Sequence, residues 1–390
     1  MCPLQSRDNP NSEEDSMSEY LGKNTFKLGF GLMRLPKNPD GTTDIPQVCD
    51  MVDRFIDAGG TYFDTAYVYD NGHSEEAFRA AVADRYPRDK YTLCTKLNAW
   101  MQCHDEASAK QQFYTSLERT NAGYFDYYLL HGLMRHNYTK YDEYHLWDFV
   151  REQKEKGLIR HYGFSFHADP ALLEEILNAH PEVDFVQLQI NYSDWENPGI
   201  GAKECWEIAR RHGKPITVME PLKGGALADP IPSVKEILKK ANPEAPVVSW
   251  GIRYAASLDG IITVLSGMSS LSQMEENLSF MRDFMPLTDE EQTVIRRAQD
   301  ALNKGTSIPC TSCHYCVEGC PMSIPIPEIF AVANRQHKNE GFRQVREYNI
   351  ATIGKGKASD CVQCGQCESA CPQHLGIIDY LKQCAEHFEK

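Results

Sequence analysis

The chain has 390 residues, 42% of them hydrophobic, and carries 55 acidic against 40 basic side chains for a formal net charge of -15 at pH 7. This is the balance of a soluble globular protein, and it argues against nucleic-acid backbones or anionic membranes as partners. No apolar run approaches the roughly 18 residues of a membrane-spanning helix, and with roughly the last 85 residues set aside for a cysteine-rich stretch, about 270 remain, enough for one large barrel or two domains.

Residues 1–17 are rich in Asn, Ser, Asp and Glu without a periodic apolar face, the composition of a disordered leader, with Met17 as an alternative start. The leader is too polar and acidic for a signal peptide. From Phe26 to about Phe284, eight short apolar runs alternate with amphipathic stretches. The first four are LGFGLM at 28–33, TYFDTA at 61–66, YTLCTK at 91–96 and FDYYLLH at 125–131. The others are RHYGFS at 160–165, DFVQLQI at 184–190, PITVME at 215–220 and IITVLSG at 261–267. Between them the spacing is helical, as in Val48, Val52, Phe55 and Ile56, or Leu172, Leu173, Ile176 and Leu177. Asp169 and Pro170 supply a cap and a first-turn residue ahead of the latter. Eight strands alternating with helices predict an α/β fold, a (β/α)8 barrel over 18–290. A doubly wound sheet competes, but no GxGxxG follows an early strand, so a Rossmann site has no support.

Beyond residue 290 the texture changes. A helix over 295–304 is expected to lead out of the barrel into a small, mainly α-helical domain over 291–390. Cys310, Cys313, Cys316 and Cys320 precede Pro321, and Cys361, Cys364, Cys367 and Cys371 precede Pro372. Each run reads C-x2-C-x2-C-x3-C-P, the spacing with which bacterial-type ferredoxins hold two iron-sulfur clusters, the fourth Cys of each run serving the other cluster. Two [4Fe-4S] sets are therefore expected: Cys310, Cys313 and Cys316 with Cys371, and Cys361, Cys364 and Cys367 with Cys320. Zinc and disulfides compete, but zinc sites usually take paired cysteines rather than three closely spaced thiolates and a fourth before Pro, all repeated. Between the runs, IPEIFAVANRQ and GFRQVREYN read as helices, which favours a helical two-cluster domain over a compact ββαββα ferredoxin. Thiolate-held clusters imply a reducing, cytoplasmic compartment. Cys2, Cys49, Cys94, Cys103, Cys205 and Cys384 lack ligand spacing and read as ordinary thiols.

In a (β/α)8 barrel the reactive groups stand at the C-terminal ends of strands. Those ends carry Asp64 and, just beyond, Tyr69, then Lys96, then His131. Hydride delivered to a carbonyl carbon leaves negative charge on oxygen, which needs a proton donor. Tyr69 is the candidate acid; Lys96 is expected to lower its pKa, Asp64 to orient Lys96, and His131 to hold the carbonyl oxygen. Any one of these alone is more often a hydrogen-bonded structural residue, but four in order across successive strands point to chemistry. The set and its surroundings, FDTAYVYDNGHSEE at 63–76, LCTK and LLHG, resemble the aldo/keto reductases. So do GFSFH at 163–167, FVQLQINY at 185–192, PLKGG at 221–225 and SGMSSLSQMEENL at 266–278.

The resemblance, which runs over about 20–285, implies a nicotinamide cofactor. Ser165 and Gln187 would bind its carboxamide, with Gln189 and Asn191 close behind. The segment 220–225, including Pro221, Leu222 and Gly224, would wrap the pyrophosphate. Gly31, Met33, Met219, Gly267, Met268, Gln273, Glu276 and Asn277 complete the implied contacts. Met219 stands where relatives stack an aromatic ring, and Phe166 where they have Asn. Relatives that prefer NADPH place cations around the adenosine 2'-phosphate; the matching positions here hold Gly267 and Gln273, so NADH is slightly favoured over NADPH.

The chain also resembles families that fuse such a barrel to a two-cluster domain. Nicotinamide gives two electrons as hydride whereas each cluster carries one. A flavin could mediate, although no flavin motif is visible. Three readings follow: an NAD(P)-dependent carbonyl oxidoreductase whose clusters exchange electrons with substrate or partner, an ordinary reductase with structural or redox-sensing clusters, and a non-catalytic electron-transfer or sensor protein. The expected partners are a small carbonyl or alcohol substrate and a redox protein, flavoprotein or ferredoxin. Trp100, Met101, Tyr138, Trp147, Tyr192 and Trp195 either line an aromatic substrate pocket or pack under long loops.

Overall fold

Eight parallel strands close into a barrel in chain order: β1 Leu28–Gly31, β2 Tyr62–Asp64, β3 Thr92–Leu97, β4 Phe125–Leu133, β5 Ile159–Phe166, β6 Phe185–Gln189, β7 Ile216–Met219 and β8 Ile261–Ser266. β8 pairs back onto β1 through Gly29 and Leu265. The computed structural model describes residues 20–302, 308–334 and 341–389, so the expected leader 1–17 and Met17 lie outside the described residues. All eight apolar runs are strands, and nearly every strand residue is buried. Burial of both faces, barrel interior and helix layer, is why parallel strands read as continuous apolar stretches. Where β5 meets β6, a Cβ on Gly163 would fall 1.9 Å from the Phe185 carbonyl oxygen, so only glycine permits this approach.

The helices around the barrel follow from their spacing. Helix Ile45–Asp57 turns Val48, Met51, Val52 and Phe55 inward, and Asp44 caps it by accepting from the Gln47 amide. Helix Pro170–Ala179 buries Leu172, Leu173, Ile176 and Leu177, and Asp169 caps it as expected. Each fully buried aliphatic side chain contributes about 1.5–3 kcal/mol. The helix after the barrel corrects one expectation. It spans Asp289–Leu302, beginning before 295, and packs Ile295 and Ala298 against Val234, Leu238 and Trp250. Arg253 grips its Glu291 with bonds of 2.7 and 2.8 Å. The helix packs on the barrel wall, and residues 303 and 304 of the expected span lie outside the described residues.

The C-terminal region is helical, with segments Tyr315–Glu318, Ile326–Asn334, Gly341–Ala351, Gln366–Ser369 and Ile377–Phe388. No strand occurs among its described residues. Ile324, Ile329, Phe330, Tyr348, Leu381 and Phe388 belong to its core. The two cysteine runs share one backbone trace: the left-handed residues Ser312, His314 and Ser323 recur at Gln363, Gly365 and His374, each 51 positions later. The same chain conformation is thus built twice.

Candidate active site

The barrel rim gathers the four candidate catalytic residues. Asp64 ends β2, Lys96 lies in β3 and His131 in β4, while Tyr69 sits in the loop after β2. That loop reverses through Asp70, Asn71 and Gly72, all at positive φ (51°, 55° and 94°). Lys37 and the Thr43 hydroxyl hold the Asp70 carboxylate, which fixes the reversal. The Lys96 ammonium donates to Asp64 Oδ1 at 2.6 Å and to the Thr65 carbonyl at 2.7 Å, so its buried charge is paired and hydrogen-bonded. It lies 4.9 Å from the centre of the Tyr69 ring. The Tyr69 and His131 rings meet edge to face at 5.6 Å, and Gln187 donates to the other Asp64 oxygen at 3.3 Å.

The electrostatics depart from expectation at Tyr69. Burial pushes its phenol well above the ordinary value, the nearby Asp64 and Glu220 carboxyls push the same way, and Arg34 opposes them. The expected lowering by Lys96 is thus not what the site does; Tyr69 is held protonated. Burial, then the Lys96 charge and His167, drive the His131 pKa well below its usual value. His131 is therefore a neutral imidazole, a hydrogen-bonding group rather than a cation.

Asp64, Tyr69 and His131 line a cavity of about 620 Å³ that continues across the barrel mouth, a size suited to small-molecule ligands. The residues expected to contact a cofactor line it, except Lys223 of the segment 220–225, which is buried and paired with Asp194. Gly31 and Met33 follow from β1, Ser165 from β5, Gln187 from β6, Met219 from β7, and Pro221, Leu222 and Gly224 from the next loop. Gly267 and Met268 come after β8, and Gln273, Glu276 and Asn277 from helix Leu271–Met281. Asn277 donates to the Ser266 hydroxyl at 2.8 Å, and Gln273 accepts from the Ser269 amide at 2.7 Å. Two neighbours behave otherwise. Gln189 pairs with Gln373 of the cysteine-bearing domain, and Asn191 donates to Asp194 and the Glu220 carbonyl. Phe166 is buried in the apolar core.

The same cavity takes in Arg34 and, from the C-terminal domain, Cys313, Tyr315 and Pro372. The sequence marks Cys313 and Pro372 only as members of the cluster runs and carries no signal for Arg34 or for Tyr315, which stands between ligand cysteines as a spacer. Arg34 donates to the Thr311 carbonyl at 2.7 Å. A Cβ on Gly224 would lie 2.4 Å from that oxygen, so the loop after β7 and the first cysteine loop lie back to back. Glu220 stands at φ 56°, a left-handed position unusual for a side-chain-bearing residue, and its carboxylate accepts from the Gly224 amide at 2.8 Å. Lys235 and Lys239 also border the cavity, but the first is engaged with Asp229 and the second with the Pro243 and Ala245 carbonyls. Of the aromatic candidates, Trp100 stands at the mouth against Tyr315. Trp147 stacks on His180, Tyr192 lies in the layer under helix Asp289–Leu302, Trp195 packs on Trp206, and Tyr138 packs on the barrel core. Met101 is held by its amide to Asn98.

The cysteines gather in the crossed sets. Cys310, Cys313, Cys316 and Cys371 line one small cavity with Ile326, Phe330 and Ile377. Cys320, Cys361, Cys364 and Cys367 line another with Met322, Val362 and Leu381. Among the described residues no three His, Cys, Asp or Glu groups converge on a single ion. All-thiol donors spread around an apolar cavity suit a cluster rather than one zinc. Burial pushes the Cys313 thiol up to about 12 and Cys367 to about 11, so a metal centre is needed to hold them as thiolates. Cys313 belongs to both its cluster cavity and the large one, making it a shared wall. At the other end of the domain, Cys364 is exposed.

The profile of the aldo/keto reductase family matches residues 27–300, and that of the 4Fe-4S dicluster domain matches 309–375. An uncharacterized oxidoreductase of Bacillus subtilis is 23% identical over 295 residues, covering 68% of this chain and 90% of that protein. The 9,11-endoperoxide prostaglandin H2 reductase of Trypanosoma cruzi is 26% identical, covering 72% and 89%. Among solved structures, the holo form of aldo-keto reductase AKR11C1 from Bacillus halodurans superposes with a TM-score of 0.57 at 26% identity, covering 70% of this chain and 91% of that one.

Proposed function

Because the chain belongs to the aldo/keto reductase family and carries a 4Fe-4S dicluster domain, we propose that it is an NAD(P)-dependent oxidoreductase that acts on a carbonyl or alcohol at the barrel mouth while its clusters exchange electrons with substrate or a partner. When bound, the nicotinamide supplies hydride and the clusters single electrons. Tyr69, kept protonated by its surroundings, donates the proton to the carbonyl oxygen. Neutral His131 holds that oxygen, and Asp64 keeps Lys96 beside the Tyr69 ring. Ser165 and Gln187 orient the carboxamide, and the loop 220–225 takes the pyrophosphate. Cys310, Cys313, Cys316 and Cys371 would hold one cluster and Cys361, Cys364, Cys367 and Cys320 the other.

The observation that carries this reading is the shared wall: Cys313 borders both its cluster cavity and the cavity that holds Tyr69 and His131. Anaerobic protein should contain about eight iron and eight sulfide per chain. Hydride cannot enter a one-electron centre directly, so NADH alone should bleach the clusters slowly in stopped-flow absorbance, and added substrate, flavin or flavoprotein should accelerate it. Rapid, complete bleaching by NADH alone would overturn the argument about electron splitting. A second reading, clusters as a purely structural roof, draws on the contacts of Gln373 with Gln189 and Thr311 with Arg34. Aldehyde turnover that survives cluster loss would select it.

A further inference from the structure

We infer that Tyr315, carried between the second and third cysteines of the first run, is a substrate-positioning residue: its ring closes the carbonyl end of the barrel cavity opposite Tyr69, so the loop of the first cluster shapes the substrate pocket. This rests on the proposed carbonyl chemistry at Tyr69. The left-handed His314 (φ 66°) turns the chain so that Tyr315 opens its short helix at the barrel mouth, where it lines the cavity that also holds Tyr69 and His131. Its ring meets Trp100 edge to face at 5.7 Å and 85°. Trp100 is itself tied to the catalytic rim, its indole N–H donating to the His131 carbonyl at 3.2 Å, and the Tyr141 hydroxyl donates to the same oxygen.

The loop that carries Tyr315 is clasped from several sides. Arg34 holds the Thr311 carbonyl, the backbone of Thr311 fills the space over Gly224, and beyond Pro372 the side chain of Gln373 is paired with Gln189. A side chain fixed in this way offers a substrate a rigid wall at little entropic cost. An aromatic wall selects by shape and apolar contact, and stacked or edge-to-face rings attract beyond what the buried area alone gives. The class of substrate it fits is a small carbonyl compound with a flat, apolar substituent rather than a polyhydroxylated one.

The test uses anaerobic holoprotein, benzaldehyde as the probe, and the variants Tyr315→Ala, Tyr315→Leu and Tyr315→Phe. Loss of the ring should raise the benzaldehyde KM about tenfold with kcat changed less than about threefold. Nicotinamide affinity and iron content should stay at wild-type levels. Tyr315→Phe should keep the wild-type KM. Independently of turnover, the electron paramagnetic resonance of dithionite-reduced protein should respond to NADH plus benzyl alcohol at one cluster only, and the response should vanish in Tyr315→Ala. An unchanged KM in Tyr315→Ala and Tyr315→Leu overturns the inference. So does loss of iron in both, which makes the residue a strut, or loss of kcat in Tyr315→Phe, which makes its hydroxyl the active group. In each of those cases wild-type benzaldehyde reduction stands, whereas a wild type inactive on every aldehyde sinks the carbonyl reading and this inference together.

Discussion

Gln189 at the end of β6 and Gln373 beyond the last cluster cysteine face each other with paired amides, each Nε2 donating to the other Oε1 at 2.9 Å in a buried setting. Gln189 donates to Asp194 as well. Removing one partner leaves the other amide buried with part of its hydrogen bonding lost, which costs about 1–3 kcal/mol. Gln373→Leu should therefore lower the anaerobic denaturation midpoint. The double variant with Gln189→Leu should lose less than the sum of the two single changes, because the orphaned amide is gone. Additive losses would show that the two side chains are not coupled.

Tyr69→Phe should lower kcat for aldehyde reduction by a factor on the order of 100 or more while nicotinamide affinity and iron content stay fixed, since only the proton donor is removed. Lys96→Met should do comparable damage and also destabilise the fold, because Asp64 then keeps a buried charge without its 2.6 Å partner. Wild-type rates in Tyr69→Phe place the acid elsewhere.

A modest preference for NADH is expected, because the positions that would pair a 2'-phosphate hold Gly267 and Gln273, and Lys235 and Lys239 are already engaged. Gly267→Lys combined with Gln273→Arg should tighten NADPH binding about tenfold, against a small change for NADH. Fluorescence titration of both nucleotides measures this. A wild-type affinity for NADPH far above that for NADH contradicts the assignment.

Acid should weaken the fold through two histidines. Burial, with a smaller push from His374, takes the His167 pKa down to about 4, and burial with the Lys96 charge takes His131 well below its normal value. Unfolding frees both to bind protons near pH 6.5, so their contribution is complete above that pH and is lost progressively as pH falls toward 4. Denaturant midpoints should drop between pH 6.5 and 5, and His167→Gln should flatten that slope by on the order of 1 kcal/mol at pH 5, allowing for solvent at His167. An identical pH profile in the variant removes His167 from the account.

The barrel was legible because parallel strands are buried on both faces, and the four rim residues because the strand order fixes where they stand. The cysteine sets were legible because the ligand spacing of a cluster loop is local. What could not be read was everything set by one domain resting on the other. Tyr315, Arg34 and the Gln189 pairing look like a spacer, a surface cation and a cofactor contact until the domains are brought together. The charge state of Tyr69 escaped for a related reason: the neighbouring Lys96 is visible in sequence, but the burial that dominates at the phenol is not.

The unequal exposure of the two cysteine sets bears on how the protein ages in air. Cys364 reaches solvent, whereas Cys316 and Cys371 of the other set are buried. Oxygen and peroxide should therefore dismantle the outer cluster first. Because Cys320 crosses over from the first run, that loss also frees the chain just after the helix Tyr315–Glu318. Damage should thus spread inward in sequence, from a cluster remote from the chemistry to the one that walls it. Timed air exposure followed by iron counting and aldehyde assay should show about half the iron leaving before activity declines.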